Sequence, residues 1–318
     1  MTAISQNQTY RTLGRSELKV SLAGLGTNNF GGRISLDRAR EVIDAALDHG
    51  INFFDTADVY GGGGGSESAI GEILGARRPN FIIATKFGMP MDPKGPKSNA
   101  SREYITTAVE ASLKRLRTDW IDLYQIHRPD PHTPIEETLR TLDRLVASGK
   151  VRTIGLSNYT AWRVKDAQWL TRTLGLAHLV SAQDEYSLLN REAENELLDA
   201  LAEVDLSLLP YFPLAGGLLT GKYRRDTPPP ADTRFGRNGA WQTSKFFTPA
   251  NFDLIEKLRA FAEAREHTLA DLALAWLAAQ PLVGSVIAGA TSADQVAANV
   301  KSVGWQLSAE DLAEIDKL

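Results

Sequence analysis

Four polar side chains stand at or just past the ends of three apolar runs. Asp55 closes INFFD, Tyr60 follows five residues later, Lys86 closes FIIATK, and His127 closes IDLYQIH. As a set they suit the transfer of a proton to an oxygen on which negative charge is growing. A phenol is a weak acid, with an ordinary pKa of about 10. An ammonium beside it favours the phenolate and lowers that value. A carboxylate beside the ammonium holds it charged and oriented, and an imidazole can hydrogen-bond the oxygen that gains charge. A proton donor next to an oxyanion site is what reduction of a carbonyl by hydride requires. Taken singly, each residue has a plainer reading: Asp55 as a turn residue, Tyr60 as half-buried packing, Lys86 as a solvated cation, His127 as a loop cap ahead of Arg128 and Pro129. The chemical reading, with Tyr60 as donor and Lys86 tuning it, rests on their convergence.

Convergence demands an architecture that gathers strand ends. The chain opens with an expected hairpin, Tyr10–Leu13 and Leu18–Val20, turning at Gly14-Arg15. Short apolar strands are then expected at Leu22–Leu25, Ile51–Phe54, Phe81–Thr85, Ile121–Ile126, Val151–Leu156, Leu179–Ala182, Leu206–Leu209 and Val283–Ile287. Amphipathic helices follow them, among them Asp37–His49 capped by Asp37, Ser66–Leu74 capped by Ser66, Arg191–Glu203 and Ala293–Val300. The strands show no polar–apolar alternation, as befits parallel strands covered on both faces. Eight unbroken βα units point to an α/β fold: a (β/α)8 TIM barrel forming a single domain over residues 1–318, with an N-terminal β-hairpin. The long loops at 87–100 and 213–250 follow strand ends and would lie over the active face.

Composition narrows the chemistry. The 318-residue chain carries a net charge of −4 and no cysteine. Disulfides, thiolate metal sites and a cysteine nucleophile are excluded. A mildly acidic balance gives no reason to expect a nucleic acid partner. The opening MTAISQNQTYRTLGR has no apolar core of the signal-peptide kind, and no apolar run is long enough to span a bilayer, so a cytoplasmic protein without a membrane partner is expected. His49, His127, His132, His178 and His267 form no HxH or HxxxH pair, so no metal site is expected. Gly61–Gly65 is not a GxGxxG turn, since Ser66 and Glu67 follow, and it reads as a flexible loop. Gly216–Lys222 matches GxxxxGK, but Tyr223 stands where a phosphate loop needs Ser or Thr. A glycosidase would need two opposed carboxylates at strand ends, and the fourth and seventh strands lead instead to His127 and Tyr211.

The segments YRTLGRSELKVSLAGLGTNNFGG, DTADVYGGGGGSE, ATKFG, DLYQIHRPDP, GKVRTIGLSN, YFPLAGGLLTGKY and VIAGATSADQVAANV run in order along nearly the whole chain. In them the sequence resembles the aldo-keto reductase superfamily, especially its bacterial, potassium-channel-β-like branch. The resemblance implies a catalytic tetrad of Asp55, Tyr60, Lys86 and His127, and NADP(H) as cofactor. It implies that Gly26, Thr27 and Asn28, with Asp55, line the nicotinamide end, and that Ser157, Asn158 and Gln183 bind the carboxamide. It implies that Tyr211 stacks on the nicotinamide ring, and that Phe212, Pro213, Leu214 and Gly216 wrap the pyrophosphate with Lys222 and Arg234 as its cations. Gly289, Thr291, Gln295 and Asn299 would hold the adenosine end, and the start of the helix at 293–300 could face a phosphate. Ala298 replaces the Glu frequent in this branch, removing one adenine contact. The channel-associated relatives often lack the histidine that His127 supplies here, which favours a carbonyl reductase over the alternative of a cofactor-sensing module.

Three expectations follow. NADPH is favoured modestly over NADH, because Thr291 and Gln295 offer neutral donors to a 2′-phosphate and no carboxylate claims the ribose. The substrate pocket is lined by Asn28, Phe30, Tyr60, Met89, His127 and Trp241. Met89, Trp241, Phe246 and Phe247 give it an apolar wall suited to aromatic or medium-chain carbonyl compounds.

Overall fold

The structure, a computed structural model, describes residues 9–91 and 98–318, apart from the side chains of Asn238, Trp241 and Thr243. The middle of the expected 87–100 loop therefore lies outside the described residues, as does the Trp241 side chain.

Two short strands, β1 (Tyr10–Thr12) and β2 (Lys19–Ser21), pair antiparallel with Tyr10 opposite Ser21. Eight parallel strands follow: β3 (Ala23–Gly26), β4 (Phe53–Asp55), β5 (Ile82–Phe87), β6 (Ile121–Ile126), β7 (Val151–Ser157), β8 (Leu179–Glu185), β9 (Ser207–Tyr211) and β10 (Val286–Gly289). They stand side by side in chain order, with β10 returning to β3. The last seam closes just ahead of β10: Leu208 N donates to Leu282 O at 2.7 Å and Gly284 N donates to Leu208 O at 2.9 Å. The sheet is thus a (β/α)8 barrel preceded by an N-terminal hairpin. None of the described helices is long and apolar enough to cross a membrane.

The missing alternation in the strands has a geometric cause. Successive side chains point to opposite faces of a strand. Phe53 faces the barrel interior and Phe54 faces the helices, and both faces are apolar. The same period sets up the chemistry. Interior positions Phe53, Ala84 and Leu123 are apolar and buried. Two residues further along each strand stand Asp55, Lys86 and Gln125, still inward but now at the mouth. The opposite end is plugged by the hairpin, whose Leu13, Leu18 and Val20 join Phe53, Ala84, Leu123, Val180, Leu209 and Ile287 in one cluster. Arg11 ties the plug down, donating to the carbonyls of Ala278 and Val283 at 2.6 Å and of Gln280 at 2.9 Å.

Helix starts differ from the sequence reading where a neighbour offers a better cap. Ser35, not Asp37, caps the helix Leu36–Asp48, its side chain accepting from Arg38 N. The helix Gly65–Leu74 begins one residue early, after Gly64 at φ 98°. Ser66 does not cap it. Its hydroxyl is buried, donating to Thr27 O and accepting from Thr56 Oγ1, each at 2.9 Å. The expected helix Arg191–Glu203 is split into a 3-10 turn, Glu192–Glu194, and a helix, Leu197–Val204. Glu194 is drawn aside there by Tyr186 and Arg191, each donating to it at 2.7 Å.

Candidate active site

The strand ends bring three of the four sequence-selected residues into direct contact around one buried ion pair. Lys86 Nζ donates to Asp55 Oδ2 at 2.7 Å and to the Thr56 carbonyl at 2.8 Å. Neither side chain of the pair is more than 6 % exposed, so solvent does not screen it. The other carboxylate oxygen, Oδ1, accepts from Gln183 Nε2 at 2.8 Å and Gln125 Nε2 at 3.5 Å. The Lys86 ammonium also lies 5.1 Å from the centroid of the Tyr60 ring. Burial lowers the Lys86 pKa, but Asp55 and Tyr60 outweigh it, and the net direction is upward, so the lysine stays charged.

Tyr60 begins a single helical turn, Tyr60–Gly63, and four glycines after it hold positive φ. The glycine run packs against another loop rather than hanging free. A Cβ on Gly61 would lie 2.5 Å from the Phe30 carbonyl oxygen, and one on Gly31 would lie 2.2 Å from the Gly65 carbonyl carbon. That close approach fixes the strand end bearing Tyr60 against the Gly26–Gly32 loop. Burial pushes the Tyr60 hydroxyl above the ordinary value for tyrosine, and Lys86 opposes this without overcoming it. The downward shift expected from Lys86 alone is therefore outweighed by loss of solvent.

His127 faces Tyr60 edge to face, with ring centroids 5.8 Å apart. Burial, then the charges of Lys86 and Arg128, push its pKa down to about 3. The imidazole is neutral at working pH and offers one donor and one acceptor. It can hydrogen-bond a substrate oxygen, but it carries no imidazolium proton to give.

These residues stand at one end of a cavity of about 680 Å³. Its walls include Gly26, Thr27, Asn28, Asp55, Ser157, Asn158, Gln183, Tyr211, Phe212, Pro213, Leu214, Gly216, Lys222, Arg234, Gly289, Thr291, Gln295 and Asn299. Two features of the far walls fit the phosphates of a dinucleotide. The turn after β9 holds Phe212, Ala215, Gly216 and Gly217 at φ 54°, 47°, 69° and 103°. Left-handed backbone is costly for Phe and Ala, and such a turn gathers amides into an anion-binding concavity. Lys222 and Arg234 meet no carboxylate among the described residues. Lys222 Nζ sits where a Cβ on Gly217 would be 3.1 Å away, and Arg234 lies 5.1 Å from the Phe212 ring centroid.

Asn158 is engaged within the protein: its Nδ2 donates to His127 O at 2.9 Å, and its Oδ1 accepts from Tyr211 Oη at 2.8 Å. At the far end, Gln295 Oε1 accepts from Thr291 N at 2.8 Å, which turns its NH2 group outward as a donor. Sequence reasoning missed Arg38, whose Nε donates to the Thr291 carbonyl at 3.0 Å from a helix remote in sequence. It also missed Gln125, a polar residue inside an apolar strand, and Arg33 and Arg128 at the cavity mouth. The inward period of β6 could have shown Gln125. Nothing local marked the arginines.

The expected substrate wall needs correction. Met89 lines the cavity, but Phe30 does not: it is 0 % exposed, turned under its own loop into the packing between barrel and helices. Phe246 and Phe247 also face away. Phe247 packs edge to face on Tyr223, Phe235 and Phe252 at 5.0–5.9 Å, and Phe246 sits 6.5 Å from Phe235. They hold the 213–250 loop down instead of facing a substrate.

The sequence profile of the Aldo/keto reductase family matches residues 23–318. The chain is 36 % identical to the L-glyceraldehyde 3-phosphate reductase of Escherichia coli (strain K12), over 97 % of this chain and 91 % of the relative. It is 38 % identical to an uncharacterized oxidoreductase of Bacillus subtilis (strain 168), over 97 % and 95 %. A probable voltage-gated potassium channel subunit beta of Arabidopsis thaliana is 37 % identical, over 92 % and 90 %.

Proposed function

The chain belongs to the aldo/keto reductase family, and from that premise we propose that it reduces aldehydes and ketones to alcohols, with NADPH preferred over NADH and Tyr60 as the proton donor. The observation that carries this reading is the buried Lys86–Asp55 pair set against the Tyr60 ring, opposite His127. A nicotinamide cofactor held in this cavity would supply the hydride for the carbonyl carbon. Tyr60 then gives its hydroxyl proton to the carbonyl oxygen, where negative charge builds. Lys86 stabilises the phenolate left behind, and Asp55 keeps Lys86 charged and aimed. Neutral His127 donates a hydrogen bond to the same oxygen and orients it. With both groups present, the chain is equipped for turnover rather than for cofactor sensing alone.

Ser157, Asn158 and Gln183 would hold the carboxamide and Tyr211 the ring. The Phe212–Gly216 turn with Lys222 and Arg234 would hold the pyrophosphate, and Gly289, Thr291, Gln295 and Asn299 the adenosine. Arg38 adds a full charge beside Thr291, which supports the preference for a 2′-phosphate. Its pairing with Glu41 at 2.6 Å keeps that preference moderate.

Titration of the protein with each cofactor, followed by tryptophan fluorescence, tests the cofactor assignment. NADPH should bind several-fold more tightly than NADH, and Arg38→Gln should erase most of that difference. Equal or tighter NADH binding in the unmodified protein would overturn the preference. Consumption of NADPH upon addition of an aldehyde tests the activity itself.

A further inference from the structure

Part of the charge around the cavity has no place in that chemistry. The charged side chains on its described walls are Arg33, Asp55, Arg128, Lys222 and Arg234. Asp55 is neutralised by Lys86. Lys222 and Arg234 flank the strained turn and suit a pyrophosphate. Arg33 and Arg128 remain, on the loops that follow β3 and β6: Arg128 directly follows His127, and Arg33 lies within electrostatic reach of Arg234.

Neither arginine meets a carboxylate among the described residues. Among the described residues Arg33 has a long bond to Asn29 Oδ1, at 3.4 Å. The carboxylate two residues beyond Arg128 is engaged by its own loop: Asp130 accepts from Thr133 Oγ1 at 2.7 Å, Ala100 N at 2.8 Å and His132 N at 2.9 Å. Elsewhere on this surface arginines find acids, as Arg77 does with Asp44 and Arg140 with Glu136. On a chain of net charge −4, two guanidiniums on one cavity with no carboxylate partner among the described residues are a local excess of cation. The Arg128 charge reaches both His127 and Tyr211, and that of Arg33 reaches Arg234. A guanidinium fork matches a carboxylate or phosphate through two parallel hydrogen bonds. Among the described residues expected to form an apolar wall, Met89 lines the cavity while Phe30, Phe246 and Phe247 do not.

We propose that Arg128 recognises an anionic group on the carbonyl substrate, so that the preferred substrates are short oxo-acids or phosphorylated aldehydes rather than neutral ones. This rests on the reductase reading above and specifies the substrate end of the same site. Both arginines are exposed, so the effect is moderate and screened by salt.

The test compares kcat/KM for two matched pairs at low ionic strength with saturating NADPH: succinic semialdehyde against pentanal, and glyceraldehyde 3-phosphate against glyceraldehyde. In at least one pair the anion should be preferred by about tenfold or more, the ordinary scale of one charge-assisted contact. Which pair shows the larger ratio identifies carboxylate or phosphate as the group. Arg128→Met should bring that ratio down toward one through KM, Arg128→Lys should restore part of it, and added salt should compress it. NADPH affinity should be the same in both variants. Ratios of one or less in the unmodified protein would overturn the proposal while leaving the reductase reading intact, as would a ratio untouched by Arg128→Met. A tenfold loss of NADPH affinity in Arg128→Met would assign the arginine to the cofactor instead. No turnover of any of the four compounds would overturn the reductase reading, and this proposal with it.

Discussion

In the proposed reaction His127 and Tyr60 take different parts, because burial shifts their acidities in opposite directions. Burial and two neighbouring cations hold the imidazole neutral, with a pKa of about 3, so it has no proton to lose near pH 6.5. Burial holds the Tyr60 hydroxyl above its ordinary value, so it stays protonated through neutrality. The rate of carbonyl reduction should therefore be flat between roughly pH 6 and pH 9, falling only when the phenol ionises. Asp58 provides the control. It is 1 % exposed, one carboxyl oxygen has no hydrogen-bond partner among the described residues, and its pKa is raised from 3.8 to about 7, chiefly by burial and then by Glu67. A carboxyl raised on folding favours the folded state fully below its unfolded value, and that contribution is lost as pH rises through about 7. Asp58→Asn should accordingly raise the melting temperature by a few degrees at pH 8 and by much less at pH 5. A limb near pH 6.5 in the reduction profile that survives Asp58→Asn would contradict a neutral His127.

Each barrel strand carries two programmes, and they separate along its length. At the start of β6, Asp122 is fully buried and accepts from Arg78 Nη2 at 2.7 Å, Ile83 N at 3.0 Å and Arg152 Nη1 at 3.0 Å. Arg78 and Arg152 also lie 4.7 and 4.8 Å from the Trp120 ring centroid. This cluster stands at the end of the strand opposite His127. Removing one partner of a buried charge pair costs about 3–5 kcal/mol, so Asp122→Ala should lower unfolding free energy by that order. In denaturant titration the midpoint should fall sharply, while kcat of the folded fraction stays within about twofold of the unmodified enzyme, since no reacting group moves.

The two programmes were unequally legible in the sequence. All eight strands were readable to within about three residues, β8 running on to Glu185 and the last strand starting at Val286, and Asp55, Lys86 and His127 were readable at their ends because apolar runs and the polar residues that close them are local features. Caps were misread where a buried hydroxyl had a distant partner, as with Ser66 and Thr27. The substrate wall was misread because whether Phe30, Phe246 and Phe247 face a cavity or a core depends on how loops fold over one another, which no local pattern encodes. Arg33 and Arg128 were missed for a related reason: that they meet no carboxylate among the described residues is visible only once the loops are folded.

At the scale of the whole molecule, the barrel puts its structural plug and its chemistry at opposite ends. Leu13 is 0 % exposed, and together with Leu18 and Val20 it seals the interior beneath β3–β10. Leu13→Ala should cost about 2–5 kcal/mol of stability through the cavity it leaves. Loss of kcat as large as the loss of stability would show that the plug and the mouth are coupled. The mouth itself rests on one claim, that Tyr60 is the acid and His127 only an orienting donor. The most direct test is the single-turnover rate of aldehyde reduction by NADPH-saturated Tyr60→Phe and His127→Ala. Tyr60→Phe removes one hydroxyl, so cofactor affinity should be unchanged while the rate falls by about 10²–10⁴, the usual worth of a positioned acid. His127→Ala should retain measurable reduction with a weakened KM for the carbonyl compound. Near-normal reduction by Tyr60→Phe alongside an inactive His127→Ala would contradict the account and make the histidine the proton donor.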